Sequence, residues 1–245
     1  SADGAAAYLG GWFGAQAWTT SGAGAKIAAF APVIRKSNNS SAGIVTALAL
    51  TPDQQTLYLG GSDFYFVNGQ TRLGAAAIDA ATGANTLTFA PVISDTKDGD
   101  MYPQIYDIRL SASHVYLCGD WWTTEGVGEQ DPNGRQRNLG RFDPLSGAAD
   151  LGWLPWTDGG VQGCDLDLRN NVLIIGGHFD RTNGFTQTIT NTLPTNDLAA
   201  IDLDNGGVLD WRPGTSGGES QLWAVTVADE IGELAQSFNK MSADL

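Results

Sequence analysis

The residues best suited to chemistry in this 245-residue chain are four charged side chains in two short apolar runs. Asp107 and Arg109 alternate with aliphatic residues in one run, and Asp165 and Asp167 do so in the other. Alternation places such residues on one face of a strand, so we expect one polar cluster. It would hold an ion or polar ligand, or set two carboxylates across a cleft as sugar hydrolysis requires. The structural alternative is an ion pair of Arg109 with Asp165 or Asp167, because buried charges need partners.

A second acidic group lies in the segment Asp-Thr-Lys-Asp-Gly-Asp, which contains Asp95, Asp98 and Asp100. Closely spaced carboxylates on a glycine-containing loop suit a hard cation such as Ca²⁺. The segment lacks the closing glutamate of the twelve-residue calcium motif, so a solvated acidic loop is the alternative. Ca²⁺ is the one cofactor that the sequence suggests.

Three tryptophans are candidates for ligand binding. Trp12, Trp121 and Trp122 follow pairs of small residues at which a strand-like run ends. Exposed aromatic side chains at such places can stack on sugar rings or contact a protein partner. Phe64 and Phe179 fill the matching position in other runs, which indicates that one aromatic residue per run packs in the interior. Trp122 is the additional one and the better candidate for binding.

Histidine and cysteine limit the catalytic possibilities. His114 and His178 are the two histidines, and neither has a serine or cysteine nucleophile in a recognisable setting. Ser-His-Asp chemistry is therefore not expected, and the chain is predicted not to be an enzyme. Cys118 and Cys164 lie in successive repeats, so a disulfide is expected if neighbouring repeats bring them together. Two buried free thiols are the alternative.

The composition excludes several classes of protein. The chain has 32 glycines, 16% charged residues and a net charge of −14. A hydrophobic share of 42% is too high for a disordered chain. No apolar run approaches the roughly 18 residues of a membrane-spanning helix. The strong negative charge argues against nucleic acid, since phosphate binding needs a positive surface.

The elements that must position these residues form an internal repeat. Strand-like runs end in two small residues, and the second of these is Gly11, Gly61, Gly119 or Gly177, with a weaker copy at Gln236. Most of these positions are about 58 residues apart. An alternating apolar run precedes each anchor except Gly11, so the first unit is predicted to lack a first strand. In the complete units a further run closed by a turn follows the anchor, and the unit ends in aromatic-x-Pro. Each unit is therefore predicted to contain four short strands.

Four strands in about 58 residues is typical of one blade of a β-propeller. The predicted fold is all-β, a β-propeller of four-stranded antiparallel blades in one domain, 1–245. The predicted divisions are a partial unit 1–37, the units 38–97, 98–156 and 157–215, and a partial unit 216–245. One hypothesis is that the C-terminal first strand completes the N-terminal blade; the alternative is that the ring is incomplete. First strands line a propeller axis, so the polar cluster of Asp107, Arg109, Asp165 and Asp167 is predicted to be axial.

Several segments resemble the delta-60-type repeats of bacterial extracellular β-propellers. The clearest are 51–61, 67–72 and 78–83, with the sequences TPDQQTLYLGG, VNGQTR and IDAATG. The segments 182–184 and 137–139 match less closely. The resemblance covers most of the chain and implies a propeller fold. It implies little about function, because it carries no catalytic motif.

The function predicted from these observations is that of a non-catalytic, exported bacterial β-propeller. It would serve as a scaffold or protein-interaction module, or as a subunit of a larger surface assembly. Four lysines among abundant Gly, Thr, Asn and Trp are typical of an exported bacterial protein. The alternative is a glycan-binding or glycan-cleaving propeller, which the tryptophans and paired acids favour. Neither nucleic acid nor a membrane span within this chain is expected.

Overall fold

The computed structural model describes residues 5–85, 88–94, 103–124, 137–153, 155–183, 193–194, 197–211, 213 and 222–227. None of these residues lies in a helix, so this part of the chain contains no helix long and apolar enough to cross a membrane. It contains nineteen strands. In chain order they are β1 (Ala6–Gly11), β2 (Gly14–Thr19), β3 (Ile34–Arg35), β4 (Ile44–Leu50), β5 (Thr56–Ser62), β6 (Phe66–Val67), β7 (Gln70–Thr71), β8 (Ala75–Asp79), β9 (Ile93–Ser94), β10 (Gln104–Leu110), β11 (Val115–Asp120), β12 (Thr123–Thr124), β13 (Leu139–Phe142), β14 (Trp156–Thr157), β15 (Val161–Asp167), β16 (Val172–Gly177), β17 (Arg181–Asn183), β18 (Leu193–Pro194) and β19 (Leu198–Asp202).

Four antiparallel sheets, called sheets I to IV here, contain the repeat. Sheet I pairs β1 with β2, and sheets II, III and IV have the orders β4-β5-β8, β10-β11-β13 and β15-β16-β19. The strands are rich in aliphatic and aromatic residues, which fit a pleated surface that neighbours cover. As the sequence predicts, the first strand of sheets II to IV ends in a tight turn and pairs with the second. Within the described residues, sheet I contains the equivalents of the second and third strands.

The predicted fourth strand is not a strand in the described residues. Its place is taken by single bridges, which join Ile78 to Asn85, Phe142 to Ala149, and Ile201 to Val208. A proline follows each bridge after five or six residues. Proline has no N–H to donate to a ladder, so each unit can extend its fourth segment only briefly. Sheets II to IV therefore contain three strands and a single bridge where four strands were predicted.

Small additional sheets connect each main sheet to the next, and we call these connections clips. The segment leaving sheet I forms β3, which pairs with β6 in the loop after β5. In the same way β9 pairs with β12, and β14 pairs with β17. Each clip therefore joins the end of one unit to the loop after the second strand of the following unit.

The hydrophobic core lies between consecutive sheets. Each of the three apolar clusters contains side chains from two neighbouring sheets: I with II, II with III, and III with IV. A recurring edge-to-face pair joins the second strand to the aromatic-x-Pro segment of the same unit. Its members are Tyr8–Phe30, Tyr58–Phe89 and Tyr116–Trp153, with ring centroids 5.4, 5.1 and 5.5 Å apart. A sheet that is apolar on both faces is thus buried by its neighbours.

The paired small residues at the end of each second strand have two different roles. A Cβ on the second one, at Gly61, Gly119 or Gly177, would collide with a carbonyl oxygen at the start of the first strand in the same sheet or, for Gly177, of the residue just before it. The first strand bulges next to that point in each sheet, which brings the two backbones close together. The first small residue instead faces the next sheet, as Gly60 faces Ile105. Part of the glycine excess therefore lies at fixed positions in the repeat, where two backbones or two sheets come close together.

The two ends of the arrangement differ from its middle. Among the described strands, β1 pairs with β2 alone, so sheet I has two strands where sheets II to IV have three. Residues 222–227 lie beside sheet IV, where the Leu222 N–H donates to the Gly177 carbonyl at 3.0 Å. They form no regular strand and no pairing with β1.

Candidate functional site

The charged cluster lies on the first strands of sheets III and IV. Arg109 on β10 donates through Nε to Asp165 Oδ1 on β15 at 2.9 Å, and through Nη1 to Asp107 Oδ1. The side chains of Arg109, Asp107 and Asp165 keep 30%, 19% and 22% of their surface exposed. The structure thus brings together three of the four residues that the sequence predicts for the axial cluster.

The remaining carboxylate oxygens bind backbone groups of the next first strand. Asp107 Oδ2 accepts the Cys164 N–H at 2.9 Å, and Asp165 Oδ2 accepts the Val227 N–H at 2.8 Å. Burial raises the pKa of the Asp107 carboxyl, although the Cys164 N–H and Arg109 act to lower it. All four carboxylate oxygens therefore have donors, and the cluster joins β10, β15 and residues 222–227 side by side.

Asp167 does not belong to this cluster, which corrects the prediction. The prediction assumed that Asp165 and Asp167 match Asp107 and Arg109 in the two runs, but the ladders pair Leu110 with Val115 and Leu166 with Leu173. Counted from the paired small residues, Leu166 therefore matches Leu110. Asp167 lies beyond it and accepts hydrogen bonds from Asn170 within its own turn, which lower its pKa.

The geometry assigns a connecting role to the acids of the cluster. Arg109 bonds to both carboxylates, whereas sugar hydrolysis needs one protonated acid and one free carboxylate facing the same bond. The bonds to Cys164 and Val227 occupy the oxygens that a ligand would otherwise contact. The arrangement is suited to holding neighbouring strands in register.

Cys118 and Cys164 form a disulfide between sheets III and IV, with Cα atoms 6.5 Å apart. Cys118 occupies the position of the first small residue, where Gly10, Gly60 and Gly176 lie in the other units. Gly10 and Gly60 face the first strand of the following sheet, and Gly176 faces Leu222 and Val225. The disulfide therefore crosses the interface at the position where the other units have a glycine.

The three candidate tryptophans have different environments. Trp121 is fully buried, and its indole N–H donates to Thr124 Oγ1 at 3.0 Å, so the prediction that it binds a ligand is wrong. It fills the same interior position as Phe64 and Phe179. Trp122 is partly buried and donates its backbone N–H to Ser94 in a clip. Trp12 is 79% exposed at the tip of the β1–β2 hairpin.

The predicted calcium ligands Asp95, Asp98 and Asp100 lie outside the described residues, so that site stays a prediction. Within the ranges that the structure covers, no group of three His, Cys, Asp or Glu side chains is arranged to hold a metal ion.

One polar group was missed by the sequence reasoning. Tyr106 and Gln162 occupy the bulges of β10 and β15. Asp120 is the last residue of β11, and His178 directly follows β16. His178 Nε2 accepts the Gly160 N–H at 3.2 Å, and its Nδ1 lies 3.1 Å from Gln162 Nε2. Burial raises the pKa of the Asp120 carboxyl, and His178 acts to lower it. The bulges could have indicated this group, because bulges redirect side chains.

Of three comparisons with known proteins, the comparison with solved structures gives matches. No protein-family model matches the chain. No curated protein matches it either. Among solved structures, it is similar to the WD40 β-propeller domain of Doa1, with a TM-score of 0.43 and 8% sequence identity. The alignment covers 84% of this chain and 64% of that one, so this chain spans less than two thirds of its length.

Proposed function

We propose that this chain is an exported, bacterial β-propeller that acts as a non-catalytic scaffold or protein-interaction module. One observation carries the proposal: large apolar side chains stay exposed on the two terminal sheets, while the charged cluster is engaged between strands. Leu9, Trp12 and Phe13 are 46%, 79% and 51% exposed on sheet I. Trp211 and Trp223 are 41% and 70% exposed beside sheet IV. Exposed aromatic groups of this kind are typical anchors of protein interfaces.

The disulfide supports the export part of the proposal. Disulfides persist in oxidising compartments and are rare in the cytosol. Cys118 and Cys164 are the two cysteines of the chain, and they are bonded to each other across a buried interface.

The experiment is affinity capture from the cell-surface fraction of the source organism, followed by binding measurements with each purified partner. Trp12→Ala should weaken binding about tenfold or more, because interface tryptophans commonly contribute over 1 kcal/mol. Leu145→Ala is the matched control, since Leu145 is also 62% exposed but lies in a turn away from the terminal sheets. Equal binding by both variants would count against the proposal.

A glycan-binding or glycan-cleaving propeller is the second candidate, favoured by the 79% exposure of Trp12 and the 70% exposure of Trp223. Flat aromatic surfaces of this size suit sugar rings. A glycan array would test it with wild type, Trp12→Ala, Trp122→Ala and Trp223→Ala. Sugar binding lost in one of these variants would replace the scaffold proposal with this one.

A further inference from the structure

The carboxylate of Asp120, at the end of β11, has no hydrogen-bond donor among the described residues. Its side chain is partly buried, and burial raises the pKa of the carboxyl. Buried polar groups in folded proteins nearly always have a partner, so a group without one calls for a physical explanation. A carboxyl that burial perturbs in this way is often part of a functional site.

Asp120 and His178 occupy equivalent positions in consecutive units, because each directly follows the pair of small residues at the end of the second strand. Gly160 lies between them. A Cβ on Gly160 would lie 3.3 Å from Asp120 Oδ2 and 2.8 Å from His178 Cε1. The two side chains therefore face one small space, which we call the polar recess. His178 is exposed, so the recess opens to solvent.

Gly160 keeps the polar recess open. In each of sheets II to IV, the carbonyl group of one residue faces the second small residue of the same unit. These pairs are Ile44 with Gly61, Gln104 with Gly119, and Gly160 with Gly177. The repeat thus has a long side chain, of Ile44 or Gln104, at the position where this unit has a glycine. Between Asp120 and His178, no side chain of residue 160 fills the space.

The other polar groups around the recess are engaged with one another. His178 Nε2 accepts the Gly160 N–H at 3.2 Å, and the Gln162 side-chain amide lies 3.1 Å from Nδ1 of the same ring. The Tyr106 hydroxyl donates to Gln104 Oε1 at 2.8 Å. Burial and the charge of Asp120 raise the pKa of that hydroxyl, and hydrogen bonding to Gln162 acts to lower it. A ligand can therefore bond to Asp120 without displacing a bond between protein groups.

The chemistry of the recess favours a cationic donor. A carboxylate accepts hydrogen bonds, and its bonds are strongest with donors that carry a positive charge. Among the described residues, no lysine or arginine side chain pairs with Asp120, and His178 is the side chain whose charge lowers its pKa. The chain as a whole has a net charge of −14, which attracts cations.

We propose that the polar recess binds a primary ammonium group, which donates hydrogen bonds to the carboxylate of Asp120. The same chemistry belongs to the side chain of a lysine and to a small free amine. This inference goes beyond the proposed function, because it concerns the interface of sheets III and IV and not the exposed residues of the terminal sheets. Either can fail without the other.

Binding and stability should respond to Asp120 in opposite directions. Because burial raises the pKa of Asp120, its charged form is held at a cost to stability at neutral pH. Asp120→Asn removes this cost and also removes the charge that would bind the ammonium group. The variant should therefore unfold at a higher temperature than wild type and bind more weakly. An Asp120 that only supports the fold would instead give a lower unfolding temperature in this variant.

The test is an NMR titration at neutral pH that follows the amide resonance of Gly160, whose N–H donates to His178. One probe is Nα-acetyl-lysine methylamide, which represents a lysine side chain, and the other is putrescine, a small diamine. Their Nε-acetylated and N,N′-diacetylated forms are the neutral counterparts. Wild type should bind at least one charged probe and neither neutral counterpart. The charged probe that binds more tightly identifies the source of the ammonium group.

Two variants and a matched control complete the experiment. Asp120→Asn should weaken binding about ten- to a hundredfold, as expected for the loss of a hydrogen bond to a charged group. Gly160→Ala should also weaken it, since the added Cβ enters the recess. Asp158→Asn is the control, because it removes the same charge from an exposed side chain two residues before Gly160. Wild type that binds neither charged probe, neutral counterparts that bind equally well, or an equal loss in Asp158→Asn would each overturn the inference.

Discussion

At the scale of single residues, Arg109 is the cation that holds two acids of neighbouring sheets. We expect Arg109→Met to lower the free energy of unfolding by about 1–3 kcal/mol, because two partly buried carboxylates lose their cationic partner and keep only backbone donors. The value stays below that of a fully buried pair, since 30% of the arginine side chain is exposed. Urea denaturation at neutral pH measures the change.

Lys36→Met is the matched control for that experiment. Lys36 pairs with Asp63 at 2.7 Å, and 47% of the Asp63 side chain is exposed. Exposed pairs contribute roughly 0–1 kcal/mol. Equal losses in the two variants would mean that the Arg109 cluster is no more important to stability than an ordinary surface pair.

Asp120 gives a prediction about pH. Burial raises its pKa in the folded state above the ordinary value of 3.8. The folded protein therefore binds this proton more tightly than the unfolded chain, and stability falls as pH rises from 3.8 through the raised folded value. Asp120→Asn removes this loss, so the variant should gain stability relative to wild type as pH rises through that window.

Asp167→Asn should behave in the opposite way. Hydrogen bonds from Asn170 lower the pKa of Asp167 below 3.8, so its contribution is present above that pH and is lost as the pH falls through the folded value. Thermal unfolding of both variants across acidic to neutral pH checks the pair of signs. Parallel pH profiles for the two variants would contradict the assignment.

The residue scale also shows what the sequence could predict about the candidate site. Alternation correctly placed Asp107, Arg109 and Asp165 in one cluster. It could not place Asp167, because the register depends on where the bulge and the turn of β15 and β16 lie. Those features are set by backbone contacts between strands, which one strand's own pattern does not contain.

At the scale of the strands, Gly119 allows β11 to cross close to β10. A Cβ there would collide with the carbonyl group of Gln104. We expect Gly119→Ala to cost about 3 kcal/mol or more, since backbone atoms cannot move aside as a flexible side chain does. Gly152→Ala is the control, because its Cβ would meet only the Asp150 carboxylate, at 3.2 Å. Chemical denaturation compares the two, and a similar small loss in both would contradict the close approach.

The disulfide gives a second prediction at this scale. Its cysteines are 46 positions apart, and a cross-link over a loop of that length stabilises by about 4 kcal/mol in the chain-entropy description. Cys118→Ala/Cys164→Ala should therefore unfold at much lower denaturant concentration than wild type. Adding a reductant should destabilise wild type and leave the double variant unchanged. Equal stability with and without reductant would show that the bond contributes little.

The strands themselves were largely predictable, and the clips were not. The runs before and at the paired small residues correspond to β4 with β5, β10 with β11, and β15 with β16. A clip strand such as β9 or β12 has only two residues, which is too short for an alternating pattern. It exists because a neighbouring unit offers free backbone groups, and that is a property of the assembled chain.

At the scale of the molecule, stability should decrease from the middle sheets to the ends. In repeat architectures, stability is approximately a sum over units and their neighbouring interfaces. Sheet III packs between sheets II and IV, whereas sheet I packs on sheet II alone within the described residues. Hydrogen exchange followed by mass spectrometry should show the slowest exchange in β10 and β11 and the fastest in β1 and β2. Uniform protection across all four sheets would instead indicate a single cooperative unit.

The repeat organisation of the molecule was predictable from the sequence, because the spacing of Gly61, Gly119 and Gly177 defines the repeat. Within the described residues, sheet I begins at its second strand. The exposed ends could not be foreseen, since exposure of Leu9 and Trp211 depends on which sheet lies opposite each of them.

The bond between Cys118 and Cys164 also determines how the chain responds to tension. If the molecule is held near β1 and near residue 227 and pulled apart, the 46 positions between the cysteines cannot lengthen. At about 3.3–3.6 Å per extended residue, roughly 160 Å of contour length stays hidden until a reductant is added. Under such a force sheets I and II can unfold one after the other. The covalent bond between sheets III and IV keeps the segment between the two cysteines from extending.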